Sequence, residues 1–312
     1  MKRYTFDEAS IIATVCYADI FDYPLTEREV WKYLIGRKIS LFKTKQLLSR
    51  LTEGNTKNLK KRFYYLSGKS LLVQKRINRN SSSSHKWIIA SRVAKMLEII
   101  PTIRLVGITG GLALNNADSG DDIDLFLIVS KGTLFVSRLA AAIFVEVFFR
   151  RRKPDDKNVT NAICMNMLIT DDNLKLVLED RNIFTAHEVV QMKPLWTRGN
   201  IYSRFIRSNT WIKKFLPNAW ETLNDVKNKD YDYRIINKDN TIKKIVIMTF
   251  SLFEQIAKNI QLWYMRKRRT NEVVSDNILK FHPSDAKVWV ERKFKKNTEK
   301  LNIHLTRLLQ AV

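Results

Sequence analysis

The chain has 312 residues, 45% hydrophobic and 28% charged, which is enough for about two globular domains with buried cores. Its 55 lysines and arginines exceed its 31 acidic residues, so the formal net charge is +24. This imbalance predicts a polyanionic partner (nucleic acid, an acidic membrane surface or nucleotide phosphates), the alternative being a generally basic composition without one. Cys16 and Cys164 exclude a disulfide framework and a cysteine metal cluster. They favour a reducing, cytoplasmic location, and no signal peptide is expected.

The first 75 residues predict three helices followed by a basic hairpin. The helices are expected over 8–19, 26–35 and 43–54, the second opened by a capping box of Thr26 and Glu29. The segment "LKKRFYYLSGKSLL" (59–72) alternates enough to predict the hairpin. Together they predict a winged-helix-like domain over residues 1–77.

A mixed sheet is predicted after a polar connection. The serine-rich stretch "NRNSSSSHK" (78–86) is typical of an exposed linker, and a helix over 87–101 completes the segment 78–100. Strands are expected over 103–109, 123–129, 161–170 and 174–179, with a helix over 133–150. The expected fold class is α+β, a mixed sheet with flanking helices over residues 101–181.

The remaining residues, 182–312, predict a helical C-terminal region. Residues 241–265 place apolar side chains on one helical face, from Ile242 and Ile245 to Ile260 and Trp263, and end in "RKRR" (266–269). This stripe is expected to be core, and a membrane-surface or partner-docking role is the weaker alternative. No transmembrane segment is predicted, since the most apolar other run, 133–149, is short and carries charges.

Two aspartates stand at alternate positions where a buried strand is predicted to begin. Because Asp122 and Asp124 are two residues apart, an extended chain turns both to the same side. Such like charges repel, and a divalent cation with a preference for oxygen ligands relieves the repulsion. Upstream, Gly110 and Gly111 allow close approach of the backbone and present amides to a phosphate. The pattern predicts a Mg²⁺ (or Mn²⁺) site beside a turn that binds a nucleoside triphosphate.

The segment "TGGLALNNADSGDDIDLFLIV" (109–129) resembles the signature of the nucleotidyltransferase superfamily, which includes kanamycin nucleotidyltransferase, poly(A) polymerases, CCA-adding enzymes and DNA polymerase beta. The matching positions are Gly110, Gly111, Asp122 and Asp124, with Ser119 just before the acids. The resemblance covers residues 100–180, about a quarter of the chain. The chain is also similar to bacterial and archaeal proteins with a nucleotidyltransferase domain, which carry segments resembling "ADIFDYPLTEREVWKYL" and "FHPSD".

This resemblance implies nucleotidyl transfer by two-metal catalysis, in which pyrophosphate leaves. Asp122 and Asp124 are then the catalytic metal ligands. The nucleotide is implied to bind at Gly110, Gly111 and Ser119.

Members of the superfamily usually carry a third carboxylate on a later strand. The matching segment here, "AICMNMLI" (162–169), holds Asn166 and no acid. Asparagine coordinates through its carbonyl but cannot act as a base. Three alternatives follow: another acid substitutes, the acceptor needs no base, or the domain only binds nucleotide. The acids available are Asp121, Asp171, Asp172 and Glu179.

Two functional hypotheses result. The first is an active nucleotidyltransferase that moves a nucleoside monophosphate to a hydroxyl of an unspecified acceptor. The second is a degenerate nucleotidyltransferase that serves as a nucleic-acid-binding or regulatory protein, motivated by the net charge, the winged-helix pattern and the missing acid. The sequence specifies neither the nucleotide nor the oligomeric state.

Overall fold

The N-terminal part consists of three helices and two short strands. The computed structural model describes residues 4–52, 63–153, 156–224, 234–236, 241–266, 273–281 and 285–304. The elements are α1 (Phe6–Asp19), β1 (Leu25–Thr26), α2 (Glu27–Lys32), α3 (Leu41–Thr52) and β2 (Phe63–Tyr64). Capping boxes begin α1 and α2, the latter formed by Thr26 and Glu29 as predicted.

The hairpin predicted over 59–72 is wrong in its described part. The strand β2 pairs antiparallel with β1, Leu25 lying opposite Tyr64, and a helix begins at Leu71. Residues 59–62 lie outside the described residues. The winged-helix assignment stays a prediction.

A long helix, α4 (Leu71–Leu97), runs through the serine stretch, so the linker predicted at 78–86 is wrong. Tertiary contacts hold this stretch in the helix. The Ser83 hydroxyl accepts a hydrogen bond from the Ala117 amide at 3.2 Å, and Lys86 is buried. Serine is only a moderate helix former, and its distant partners cannot be recognised in a local sequence window.

A mixed sheet of seven strands is described, in the order β7-β6-β3-β4-β5-β9-β8. Its strands are β3 (Ile103–Ile108), β4 (Ile123–Val129), β5 (Ile163–Thr170), β6 (Lys193–Arg198), β7 (Arg234–Ile236), β8 (Val273–Val274) and β9 (Ile278–Lys280). The central strands β3, β4 and β5 are almost continuously apolar, as expected of strands covered on both faces. β4 is antiparallel to β3 and parallel to β5. The mixed sheet with helices agrees with the predicted α+β class.

Eight further helices are described: α5 (Gly110–Ala113), α6 (Leu134–Phe148), α7 (Ile183–Gln191), α8 (Ile201–Ser208), α9 (Pro217–Asn224), α10 (Thr241–Leu252), α11 (Glu254–Met265) and α12 (Asp285–Glu299). The strand predicted over 174–179 is wrong, because Asn209 binds the backbone of Leu174 and Leu176 and holds this segment as a loop. The place beside β5 is taken by β9. The C-terminal region is therefore helical only in part, since β6 to β9 belong to the sheet.

Each face of the sheet packs against its own set of helices. On one face, residues such as Phe126 and Ile128 share a core with α1, α2, α3, α7, α8 and α9. On the other face, Leu125 and Leu127 pack with α4, α5 and α6. The predicted domain boundaries stay predictions. However, this shared core argues against a cut at 78–86 that releases a folded N-terminal piece.

The apolar stripe of residues 241–265 does not lie in the core. The helix is interrupted at Phe253, which separates α10 from α11. Much of the stripe faces solvent, since Leu252 is 73% exposed and Trp263 is 77% exposed. The prediction that this stripe is core is wrong. Within the described ranges, no helix is both long and apolar enough to cross a membrane.

Candidate active site

A glycine turn follows β3 and packs directly on Asp124. Gly110 has a positive φ of 65°, a conformation that favours glycine. A Cβ atom at this position would lie 2.7 Å from Asp124 Oδ2. At Gly111 a Cβ would lie 3.3 Å from the Asn116 carbonyl oxygen. The turn therefore needs its first glycine both for backbone conformation and for contact with the acidic pair.

The strands β4 and β5 bring three ligand-type side chains together. Asp124 lies opposite Cys164 in the parallel pairing, and Asp122 comes directly before β4. One ligand atom from each of Asp122, Asp124 and Cys164 lies within 4.8 Å of the other two. The two carboxylates are close enough to share a cation, as the alternate spacing predicts, and Asp124 also contacts Gly110.

The surroundings of Asp124 disfavour the ionised form of its carboxyl. Burial, with the charges of Asp122 and Glu188, raises the pKa of Asp124 to about 8, while a hydrogen bond from the Cys164 thiol opposes the rise. Its Oδ1 atom is buried and finds no hydrogen-bond partner among the described residues. A cation at this oxygen would replace the proton that neutralises Asp124 near neutral pH.

The composition of the cluster favours a hard cation. Burial and the carboxylates of Asp124 and Asp122 raise the pKa of the Cys164 thiol far above its ordinary value, so the sulfur stays protonated. The anionic ligands are then the carboxylate oxygens, which suit Mg²⁺ or Mn²⁺. Arg152 forms an ion pair with Asp122 and provides positive charge at the exposed side of the pair.

The assignment of Ser119 to nucleotide binding stays a prediction. This residue lies in the loop before β4. The Lys86 ammonium group fixes this loop by donating hydrogen bonds to the carbonyls of Ser119 and Asp121 at 3.0 and 2.6 Å. Arg79 pairs with Asp118 in the same loop at 2.6 Å. Ser119 is exposed and, like Asp122 and Asp124, is not among the residues that line the two cavities beside the glycine turn. Its contribution is the backbone that positions the start of β4.

Asn166 lies in a β-bulge, two residues beyond Cys164, which is the residue paired with Asp124. The β4–β5 register skips from the pair Leu125–Met165 to the pair Phe126–Met167, so Asn166 is the inserted residue. It is buried and lines an apolar cavity.

The other acids proposed as substitutes lie elsewhere. Asp171 and Asp172 follow the far end of β5, more than about 15 Å along the strand from the position paired with Asp124. Asp121 is exposed and accepts a hydrogen bond from the Asp118 amide at 2.8 Å. Glu179 is exposed and lies at the wall of the apolar cavity. None of these four carboxylates belongs to the described three-residue cluster.

Two cavities lie beside the glycine turn, and neither Asp122 nor Asp124 is among the residues that line them. The apolar cavity, of about 250 Å³, is lined by Phe126, Met167, Phe184, Val189, Met192 and Phe205, with Thr109, Asn166 and Lys280 among its polar residues. The glycine cavity, of about 350 Å³, is lined by Gly110, Gly111 and Arg79 and by the aromatic rings of Tyr17, Phe21 and Trp289. The Thr109 hydroxyl is buried without a hydrogen-bond partner in the described part of the chain.

Glu188 lines both cavities and was not considered as a site residue in the sequence analysis. It lies on α7, which packs against the glycine turn of α5. Burial raises its pKa to about 7, and Lys280 partly offsets the rise. Its charge also raises the pKa of Asp124, which places the two carboxyls within electrostatic reach. No local signal could have identified it, because the packing of α7 on α5 is a tertiary contact.

The neighbouring His187 belongs to the core. Its ring stacks on Tyr17 with centroids 4.0 Å apart, and Gln191 contacts its Nδ1 at 3.1 Å. Burial lowers the pKa of His187 to about 3, so the ring is neutral at physiological pH. His187 therefore serves packing inside the described core.

Comparisons of the chain with protein-family models, curated proteins and solved structures found no match.

Proposed function

We propose that the protein transfers a nucleoside monophosphate from a nucleoside triphosphate to an acceptor hydroxyl. The observation that carries this proposal is the contact between the glycine turn and the paired carboxylates, with Gly110 packed on Asp124 and Asp122 beside it. A turn that presents amides next to two carboxylates suits a metal-bound triphosphate, because backbone amides and divalent cations both bind phosphate oxygens.

The residues present fit Mg²⁺ or Mn²⁺. Asp122 and Asp124 would hold the cations, and the buried Oδ1 of Asp124 supports this assignment because it has a free acceptor position within the described residues. The bound cations would supply charge stabilisation for the attacking and leaving oxygens of an in-line displacement.

The remaining groups position the nucleotide. The glycine cavity offers backbone amides at Gly110 and Gly111 for the phosphates, and the rings of Phe21 and Trp289 for the base. Arg152 is half-exposed and pairs with Asp122 when no cation is present. Once Asp122 holds a cation, this guanidinium is free to turn toward the triphosphate.

Glu188 provides the third carboxylate in this proposal. It stands where the glycine cavity meets the apolar cavity, so one carboxyl faces both the nucleotide side and the acceptor side. Its pKa of about 7 suits a group that accepts the proton of an acceptor hydroxyl. The acceptor then approaches from the apolar cavity.

Label transfer tests the proposal. The purified chain is incubated with each nucleoside triphosphate labelled in its α-phosphate, with Mn²⁺ or Mg²⁺, and with cell extract as a source of acceptors. We expect a metal-dependent labelled product, and a loss of about a hundredfold or more in Asp122→Asn and Asp124→Asn. Asp172→Asn, an acid at the far end of β5, is the matched control and should retain transfer. Absence of any labelled product would reject the proposal.

The second candidate is a degenerate transferase that binds nucleic acid or regulates a partner. The ion pair of Arg152 with Asp122 and the absence of an acid from residues 163–170 favour it, since both weaken a metal site. The net charge of +24 favours a polyanionic partner. This candidate predicts RNA or DNA binding that falls steeply with salt and is unchanged in Asp124→Asn.

A further inference from the structure

The helices α10 and α11 present a continuous apolar stripe to solvent. The stripe consists of Ile245, Met248, Leu252, Ile256, Ile260 and Trp263, each between 52% and 77% exposed. These positions are spaced by three or four residues, which keeps them on one side of a helix. Exposed apolar area of this extent marks a contact surface.

The opposite side of α11 attaches to the protein through both polar and apolar groups. The Glu254 carboxylate accepts hydrogen bonds from the Phe135 and Val136 amides at 2.8 and 2.9 Å, at the start of α6. The Gln261 amide donates to the Phe135 carbonyl at 2.7 Å. The face of α11 toward the protein therefore combines these polar groups with the buried side chains of Ala257 and Met265, while the stripe faces outward. Within the described residues the stripe stays exposed, which leaves this surface available to another partner.

We infer that the stripe docks on the surface of an anionic lipid bilayer. Trp263 and Tyr264 stand in the last turn of α11, directly before "RKRR" (266–269), of which Arg266 is described and exposed. Apolar side chains, interfacial aromatic rings and adjacent cations are the features of helices that lie in the headgroup region. The net charge of +24 adds attraction to acidic lipids.

Charge argues against the competing occupants. A second copy of this chain would carry the same net charge of +24, and the repulsion between the two copies opposes self-association. The phosphates of nucleic acid would pair with the cations beside the stripe, but nucleic acid offers no apolar surface on which the stripe could be buried. The helices lie along the membrane and do not cross it: each has 12 residues and is about 18 Å long, shorter than a bilayer core of about 30 Å. The inference concerns a surface distinct from the acidic cluster and does not depend on the proposed function.

Vesicle sedimentation of the full chain tests the inference. The probes are vesicles of phosphatidylcholine alone and of an equimolar mixture with phosphatidylglycerol. We expect the chain to sediment with the anionic vesicles, with binding that falls as salt is added. The stripe variant is Leu252→Ser with Ile256→Ser, which removes apolar area without changing charge. Its matched control is Leu71→Ser with Ile88→Ser, the same two changes at positions exposed on α4.

The expected result is a fall in affinity of about tenfold or more for the stripe variant, with the control unchanged. Thermal melts establish that both are folded; if the stripe variant is not, Trp263→Ser replaces it, with the same expected direction. Wild-type chain that stays in the supernatant with anionic vesicles overturns the inference, as does equal binding by stripe and control variants. A dimer that the stripe variant dissociates, together with no vesicle binding, assigns the surface to a second copy instead.

Discussion

Replacing Asp124 with asparagine should stabilise the metal-free protein at neutral pH, and the gain should grow as the pH rises. The Asp124 carboxyl has a pKa of about 8 in the folded chain against an ordinary value of 3.8. Because the folded state binds this proton more tightly than the unfolded state, the free energy of unfolding falls as the pH rises from about 4 to about 8. Asparagine has no proton to lose, so this contribution to the fall disappears in the variant.

The pKa difference sets an upper limit to the gain. One pKa unit corresponds to about 1.4 kcal/mol, so the difference allows about 6 kcal/mol above pH 8 and about 4 kcal/mol at pH 7. Asp124 is only partly buried, so solvent screens its charge, and Arg152 partly neutralises the neighbouring charge of Asp122. Both effects reduce the penalty, and we expect a gain of about 1–3 kcal/mol at pH 7.

Urea unfolding in EDTA at pH 5 and pH 8 measures this gain, with Asp172→Asn as the control. Added Mn²⁺ should stabilise the wild type and the control but not Asp124→Asn, because only a ligand of the folded state raises stability. An Asp124→Asn protein with the same pH dependence as the wild type would refute the electrostatic reasoning.

Three further predictions concern single positions. Glu188→Gln should lower the rate of metal-dependent transfer by about tenfold to a thousandfold and flatten the pH profile of that rate between about 6 and 8. The control Glu179→Gln should leave both the rate and its pH profile unchanged. If the two variants transfer at the same rate, Glu188 does not belong to the site. Gly110→Ala should destabilise the fold by about 2–4 kcal/mol in thermal melts and impair transfer. Gly132→Ala, which has a similar φ and open space around its Cβ, should cost only about 1–2 kcal/mol, so equal losses would contradict the contact with Asp124. Ser81→Pro should cost about 3 kcal/mol by breaking α4, and a variant as stable as the wild type would argue against a helix there.

The acidic pair was predictable because its signal is local. Two aspartates at alternate positions in an apolar run fix a strand and a shared face, and Gly110 before them fixes a turn. The sequence did not predict that Gly110 packs on Asp124 itself, because this contact depends on the approach of the turn to β4.

The errors arose where tertiary contacts override local propensity. The serine-rich stretch around Ser83 predicted a linker, but the Ser83 hydroxyl accepts a hydrogen bond from the Ala117 amide, 34 positions away in the sequence. Leu174 and Leu176 alternate like strand residues, but Asn209 binds their backbone instead. Glu188 is distant in sequence from the acidic pair, so only the packing of α7 identifies it.

The stripe on α10 and α11 was misinterpreted for a different reason. Helical spacing of apolar residues establishes a contact face, but it does not specify whether the protein itself supplies the contact. The polar residues Glu254 and Gln261 occupy the face toward α6. The periodicity was therefore real, but its orientation could not be predicted from spacing alone.

The central claim is that the glycine turn and the aspartate pair bind a metal-bound triphosphate. Crystals grown with Mn²⁺ and a non-hydrolysable nucleoside triphosphate, measured for the anomalous signal of manganese, test it most directly. The account predicts manganese within about 2.3 Å of carboxylate oxygens of Asp122 and Asp124, with the triphosphate against the amides of Gly110 and Gly111. A nucleotide bound elsewhere, or an Asp122 still paired with Arg152 and no manganese beside Asp124, would contradict it.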